Sequence, residues 1–445
     1  MSSEFRKVKL KDIASFKYGK TIRKQDIQSS GEYPVFSGYQ VVGYLPNYMY
    51  KEEQLIIVCR GAGGTGDIKM SPGLCSITNL AIIISCDDTV IDKGYLYWRL
   101  IFSDTYSLRT GSAQPQITIN TLESFEIEIE PDLRKQKEIA FTLSNINNKI
   151  RKNADINQTL EHMAQALFKS WFVDFEPVRT KIAVLEAGGS QEDATRAAMT
   201  AISGKDADAL VIFERGHPEQ YAELKATAEQ FPFAVQDSEL GEIPEGWSIK
   251  SLDTIATYQN GLALQKFRPE NESNFLPVVK IAQLKKGFSD GEEKASPNIK
   301  PECIIDNGDV VFSWSGSLMV DIWCGGKAAL NQHLFKVSST KFPKWLYFKY
   351  TTHHLNEFQR IAEAKAVTMG HIKREHLSQA KCVIPASDTI NSFTVFFEPL
   401  INMVISNRLE CQQLEKIRDI LLPKLLSGEI TLPEAEQAVS EAENV

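Results

Sequence analysis

The sequence has no apolar stretch long enough to cross a bilayer. Its longest apolar runs are Leu55 to Cys59 and Leu80 to Ser85, where a spanning helix needs about 20 residues. The N-terminus MSSEFRKVKLKDIAS lacks an apolar signal core, so a cytoplasmic protein with no membrane partner is expected. The seven cysteines include no CxxC pair and no histidine at ligand spacing, which argues against a zinc site or a disulfide framework and leaves them as small buried apolar residues. Catalytic signatures are equally scarce. There is no GxxxxGK(S/T) phosphate loop and no Asn/Asp-Pro-Pro-aromatic motif of the amino-methyltransferase kind. Gly61-Ala-Gly63-Gly64-Thr-Gly66 has the glycines of a dinucleotide loop, but it runs into Asp67-Ile-Lys-Met-Ser-Pro72 where that motif needs a helix N-terminus. Asp67-Ile-Lys69 has the tail of a nuclease metal motif without a Pro-Asp partner, and the seven histidines are scattered. No catalytic residue, metal ligand or cofactor is assigned to this chain.

A net charge of -8 also disfavours a nucleic-acid partner, until the charge is located. Between Lys181 and Gly246 there are five Lys/Arg against 13 Asp/Glu, and from Glu429 onward five Glu and no base. The remainder holds 44 Lys/Arg against 39 Asp/Glu, a net of +5. The first 26 residues carry Arg6, Lys7, Lys9, Lys11, Lys17, Lys20, Arg23 and Lys24 against Glu4, Asp12 and Asp26. That is a basic face available to phosphate.

What the sequence does have is an internal repeat. From Leu133, apolar residues at alternating steps of four and three give Ile139, Leu143, Ile146 and Ile150, then Asn153 and Asn157, then Leu160, Ala164 and Leu167. The same seam recurs 254 residues on as Phe393, Phe397, Leu400 and Val404, then Asn407 and Cys411, then Leu414, Arg418 and Leu421. A polar residue breaking an apolar heptad seam at the same step in both copies predicts two long helices packed on each other, since a buried Asn costs stability and fixes register. At roughly 30 to 35 residues each, they are rods of about 50 Å.

The lobes preceding the helices repeat too. Val8-Lys9-Leu10 through Gly19 matches Ile249 through Gly261 at a spacing of 242. Leu55 through Gly61 matches Asp309 through Ser315, Tyr95 to Trp98 matches Trp345 to Phe348, and Leu122 to Ile129 matches Leu377 to Ile384. Short β-rich runs are expected at Tyr33 to Gly38, Leu55 to Cys59, Leu80 to Ser85 and Phe125 to Ile129, and at Leu276 to Ile281, Val310 to Phe312, His333 to Val337 and Ala380 to Ile384. Helices are expected around Gly94 to Ser103 and Lys344 to Gln359. The expected fold is α+β: two similar lobes, each followed by a long helix, the helices packed as an antiparallel coiled coil. In chain order, the divisions are a first lobe over residues 1–131, a first long helix and docking segment over 132–180, an acidic helical insert and linker over 181–246, a second lobe over 247–387, a second long helix over 388–428 and an acidic tail over 429–445. Two or three short helices are expected within Ala183 to Phe231, followed by a linker over Pro232 to Gly246.

Two unlike heads on a spacer suit a partner read at two separated points. Half-sites one DNA turn apart lie about 34 Å from each other, within reach of such a rod. Candidate DNA-binding residues in loops are Lys20, Arg23, Lys24, Arg60, Arg109, Gln114 and Gln116 in the first lobe, and Gln265, Lys266, Arg268, Trp314, Gln332, Lys365 and His371 in the second. Arg and Gln make paired hydrogen bonds to guanine and adenine edges, whereas Lys mainly positions the phosphate backbone. The alternative is a two-lobed coiled-coil adaptor without DNA specificity.

The lobe-helix-lobe-helix layout resembles the specificity subunit of type I restriction-modification enzymes. Similar phrases are Leu167-Phe-Lys-Ser-Trp-Phe-Val-Asp-Phe-Glu-Pro-Val-Arg179, Ser238-Glu-Leu-Gly-Glu-Ile-Pro-Glu-Gly-Trp247 and Leu421-Leu-Pro-Lys-Leu-Leu-Ser-Gly-Glu429, with Gln116 to Leu122 and Met369 to Leu377 closing each lobe. The resemblance implies a non-catalytic subunit that reads a split site in double-stranded DNA. It also implies two methyltransferase subunits docked on this chain and two restriction subunits beside them, with AdoMet, ATP and Mg2+ held by those partners. Carried onto this sequence, the docking surface is expected at Trp171, Phe172, Phe175, Leu422, Leu425 and Leu426. Packing within the chain is the other reading of those six.

Overall fold

The computed structural model describes residues 5–61, 64–111, 114–364, 370–430, 433–434 and 437. The chain divides into two compact units, residues 1–152 with 410–445, and residues 153–409. The consecutive division expected from the sequence differs: each unit takes one lobe together with part of both long helices, because the helices bury their seams against each other and against the lobes.

In the first unit, strands Ala14–Tyr18, Ala81–Cys86, Leu55–Val58 and Ile68–Met70 form an antiparallel sheet in that order. Leu55 to Val58 and Ala81 to Ile84 are buried throughout, which is why they read as unbroken apolar runs and not as an alternation. A smaller sheet holds Val41–Leu45, Tyr33–Phe36 and Ser76–Ile77, the last two parallel. Arg6–Lys9 pairs with Glu126–Ile129, so the first strand of the lobe lies against its last. This pairing consumes part of the expected basic face: Val8 points inward and Lys7 forms an ion pair with Glu126 at 2.8 Å.

The second unit repeats this plan. Thr257–Asn260, Leu334–Ser338, Val310–Ser313 and Met319–Ile322 form the four-stranded antiparallel sheet. Leu276–Val279 lies between Lys294–Ala295 and Ala328–Leu330, again with one antiparallel and one parallel neighbour, and Ser248–Ser251 pairs with the closing strand Lys381–Ile384. Gly19 and Gly261 hold equivalent places at the end of the first sheet strand. A Cβ there would lie 2.1 Å from Thr78 O in one unit and 2.2 Å from Leu330 O in the other, so both positions require glycine. The helix expected over Lys344 to Gln359 is two, Lys344–His353 and Leu355–Ala364.

The long helices are Leu133–Phe172 and Ser387–Ser427. They have 40 and 41 residues, about 60 Å each, longer than expected because the sequence seam was counted without the turns that flank it. They run antiparallel in each unit. In the first, Lys149 pairs with Glu410 at 2.7 Å and Arg418 donates to Asn147; in the second, Asn407 donates to Asn157 Oδ1 at 2.9 Å. Asn153 and Asn157 are buried at 8% exposure each. Two contacts show the repeat at atomic level: Cys411 Sγ donates to Ile150 O in the first unit, and Asn157 Nδ2 donates to Val404 O in the second. Shifting each residue by 254 converts one contact into the other.

The seam is buried or half-buried from Ile139 to Ala164 and from Phe393 to Leu421, with one local change. Beyond Ala164 the buried positions are Phe168, Trp171 and Phe172, with Leu167 half-buried; on the other helix Ile401 is more buried than Leu400. Large aromatic side chains draw that end of the pair against the second lobe. The Trp345 and Phe397 rings stack at 4.4 Å, and Trp171 packs on Phe393 and Phe397. Each lobe is also tied to a long helix by an indole N–H: Trp98 donates to Ser144 and Trp345 to Thr394.

The acidic insert forms Gln191–Ser203, Ala207–Gly216 and Pro218–Glu229, preceded by Glu176–Glu186. Ala198, Met199, Leu210, Leu224 and Ala228 make its small core. Lys181 is fully buried and donates to Phe231 O at 2.6 Å. The expected linker instead contains a hairpin, Val235–Ser238 with Gly241–Pro244.

Candidate nucleic-acid interface

Four loops meet at one end of the four-stranded sheet in each unit, held by the same backbone hydrogen bonds. In the first unit Asn79 N donates to Lys20 O, Cys59 N to Leu80 O, and Ile117 N to Cys59 O. In the second, Gln332 N donates to Leu262 O, Trp314 N to His333 O, and Ile372 N to Trp314 O. Lys20, Arg60 and Gln116 are thereby brought to one end of the first lobe, and Trp314, Gln332 and His371 to the matching end of the second.

These bonds also correct one detail of the repeat. Leu55 lies opposite Ile84 and Val310 opposite Val337, so this strand repeats at 255 residues, not at the 254 that matched Leu55 with Asp309. A one-residue slip exchanges the faces of a strand. The counterpart of Trp314 is therefore buried Cys59, and that of Arg60 is Ser315.

The side chains on the two frames differ. In the first unit the Arg60 guanidinium lies over the Tyr18 ring at 5.4 Å and that of Arg109 over Tyr106 at 4.2 Å. Arg109 Nε donates to Thr65 O at 2.6 Å. Tyr106 Oη donates to Asp67 Oδ1 at 2.6 Å, and that hydrogen bond holds its phenol above the ordinary range. Lys69 Nζ lies over the Tyr39 ring, whose hydroxyl donates to Arg60 O. Gly64 and Gly66 of the glycine-rich segment turn the chain into strand Ile68–Met70, Gly66 N donating to Val58 O, so a strand and not a helix follows it. In the second unit Trp314 Nε1 donates to Gln332 O at 3.2 Å, and its ring lies 5.9 Å from His333 and 6.3 Å from His371. Ser315 Oγ and His333 Nδ1 are 2.9 Å apart. Arg374 covers the Phe335 ring at 5.4 Å.

Arg23 and Lys24 are exposed on the turn Lys24–Asp26, and Gln265 and Lys266 on the corresponding turn Leu264–Lys266, with Arg268 exposed just beyond. Gln114 and Gln116 are exposed, and the main chain of Gln116 bridges to Thr110. Lys365 lies outside the described residues. Sequence reasoning missed Tyr18, Tyr39, Lys69, Asn79, Tyr106, His333 and Arg374. Asn79 was within reach, because the spacing that pairs Ala81 with Leu334 also pairs Asn79 with Gln332. The aromatic partners were not, since their pairing with cations needs three dimensions.

The six residues expected at a docking surface are inside the protein. Trp171 and Leu426 are 0% exposed, and Phe172, Phe175, Leu422 and Leu425 are also buried. Trp171, Phe172 and Phe175 belong to the core of the second unit, and the three leucines to that of the first, so packing within the chain accounts for them. The exposed apolar residues on the long helices include Phe141 at 68% and Val395 at 67%, again 254 positions apart.

All seven cysteines are free. Among the described residues no cluster of His, Cys, Asp or Glu has the makings of a metal site, and no helix is long and apolar enough to cross a membrane.

A duplicated α+β frame with unlike side chains at its loop ends, carried on an antiparallel helix pair, defines a two-headed recognition protein. Its sequence matches the family model of the type I restriction modification DNA specificity domain twice, over residues 2–162 and 244–416. The chain belongs to that family. It is 29% identical over 368 residues to the type I restriction enzyme HindI specificity subunit of Haemophilus influenzae, covering 78% of this chain and 80% of that protein. It is 26% identical over 361 residues to the MjaIX specificity subunit of Methanocaldococcus jannaschii, covering 78% of this chain and 71% of that protein. Its fold is similar to that of the type I restriction-modification system S subunit from M. genitalium, with a TM-score of 0.57 at 12% identity over 95% of this chain and 96% of that one. A two-lobed adaptor without DNA specificity finds no support in these likenesses. The residues left unmatched by the family model include most of the acidic insert.

Proposed function

We propose that the chain supplies the DNA sequence specificity of a type I restriction-modification complex in the cytoplasm, each unit reading one half of a split duplex site through its own loop cluster. The observation that carries this reading is the same set of backbone hydrogen bonds gathering four loops in both units, with different side chains on each. A constant frame with variable contents reads two different short sequences in the same manner. Arg60, Arg109 and Gln332 are suited to base edges, and Lys20, Lys24 and Lys266 to phosphates.

The chain itself performs no chemistry. Two methyltransferase subunits dock on the long helices, where Phe141 and Val395 offer matched exposed apolar positions in place of the six buried ones, and two restriction subunits complete the nuclease. AdoMet, ATP and Mg2+ belong to those partners. The helices set the gap between the half-sites. Seven residues added to both helices at the boundary between the units, after Lys152 and after Leu409, lengthen them by about 10 Å. A map of methylated adenines in cells carrying the altered chain with its partners is then expected to show a spacer longer by about three base pairs and unchanged half-sites. An unchanged spacer defeats the role of the helices in setting the gap, and altered half-sites defeat the assignment of reading to the lobes.

A further inference from the structure

A cavity of about 180 Å³ opens in the second unit between the two long helices, strand Met319–Ile322 and helix Lys344–His353. Its walls are mostly apolar, with Leu160, Ala164, Phe348, Leu400 and Val404 among them. Lys349 also lines it and is only 4% exposed.

The charges around this lysine are already committed to one another. Arg408 donates to Asp321 at 2.8 Å and to Glu161 at 3.0 Å, which leaves both carboxylates engaged. Among the described residues no acceptor lies within hydrogen-bond or ion-pair distance of Lys349 Nζ. Its Nζ lies over the face of Phe348, 5.5 Å from the ring centre, and the Glu161 carboxylate on the cavity wall attracts it without a direct contact. The other buried lysine shows what a satisfied one looks like: Lys181 donates to Phe231 O at 2.6 Å and sits 3.9 Å from the centre of the Phe233 ring. Lys349 has no such acceptor among the described residues and is almost removed from solvent, at 4% exposure. Burial pulls both amines down to about 8 from the usual 10.5, so what sets Lys349 apart is its missing partner and the cavity it faces. The position therefore favours whatever brings an anionic oxygen into the cavity.

We propose that this cavity binds a small organic carboxylate, whose oxygens accept from Lys349 and whose apolar body lies between Ala164 and Leu400. Binding there joins both long helices to the second lobe through one ligand, at a site separate from the loop cluster. A cavity of comparable volume holds one benzene ring, so benzoate, phenylacetate and isovalerate are suitable probes, with benzamide and benzylamine as uncharged and cationic controls.

The full chain with its partner subunits is titrated with each probe by thermal melting and by NMR of the 13C-methylated lysines. Carboxylates are expected to raise the melting temperature and to move the Lys349 resonance towards a higher pKa, while the two controls do neither. K349M keeps the aliphatic stem, removes the charge, and is expected to melt at or above the parent while losing affinity for carboxylates about tenfold or more. Failure of every carboxylate to bind, equal binding of benzamide, or unchanged affinity in K349M overturns the proposal.

Discussion

The two units hold their loops with the same hydrogen bonds and fill them with different side chains, although each has a guanidinium laid on an aromatic ring, Arg374 on Phe335 in the second. The first presents guanidinium groups braced on tyrosines, Arg60 on Tyr18 and Arg109 on Tyr106. The second presents a largely uncharged cluster of Trp314, Gln332, His333 and Ser315. The frame tolerates this because its bonds are made by main chain, which any residue but proline supplies. What the loops present is thus separated from what holds them, and on this reading each cluster can be changed without disturbing the sheet beneath it.

The comparison breaks first at the glycines. Gly19→Val and Gly261→Val each drive a side chain into a backbone carbonyl, and each is expected to destabilise its unit by about 3 kcal/mol or more, read as loss of melting temperature. Tolerance at one position alone would show that the two frames are not equivalent there.

A pH titration separates the units next. Burial, reinforced by neighbouring His353, lowers the pKa of His354 from 6.5 to about 4, although its ring donates to Lys381 O. Between these values the unfolded chain takes up a proton that the folded second unit refuses. The stability contributed by the neutral ring is complete above about pH 6.5 and falls by about 2–3 kcal/mol as pH drops towards 4. His354→Gln is expected to flatten that slope in urea melts of the intact chain, and an unaltered slope would remove His354 as its cause.

Smaller effects sharpen the difference between the clusters. Arg60→Ala is expected to weaken DNA binding by about 1–3 kcal/mol and to relax specificity in one half-site, while Gln332→Ala does so in the other. Competition binding with duplexes altered in one half at a time reads this directly, and equal losses across both halves would mean that the residues touch only phosphate. The smallest effect is expected from Asn157→Cys, which recreates at the second unit's contact the pairing that Cys411 makes with Ile150. A change below about 1 kcal/mol in denaturant melts fits the equivalence of these contacts, and a much larger one shows that the Asn407 hydrogen bond carries the register.

The architecture was legible in the sequence where it rests on repetition and period. The long helices followed from a seam with a polar break, and the two central strands of each four-stranded sheet from short apolar runs bounded by turns. Strands such as Arg6–Lys9 and Ile68–Met70 were not visible, because a charged or three-residue strand is defined by its partner more than by its own pattern. The loop cluster was half legible: side-chain chemistry pointed to Arg60, Gln332 and Trp314, but the partners of Arg60 and Trp314, Tyr18 and His333, lie 42 and 19 residues away in the chain. The docking surface went wrong for a physical reason. Trp171, Phe172 and Leu426 are apolar at helix ends, and sequence alone does not tell whether a second lobe or a second protein covers them.

The pairing of Arg6–Lys9 with Glu126–Ile129, and of Ser248–Ser251 with Lys381–Ile384, makes each lobe's chain enter and leave side by side. A loop inside the lobe can then lengthen without moving either doorway, which is how a repeat offset of 242 residues at Gly19 grows to 254 along the helices while the stalk keeps its geometry. The clasp works like the mount of an interchangeable lens: whatever optics sit in front, the camera body is unaltered.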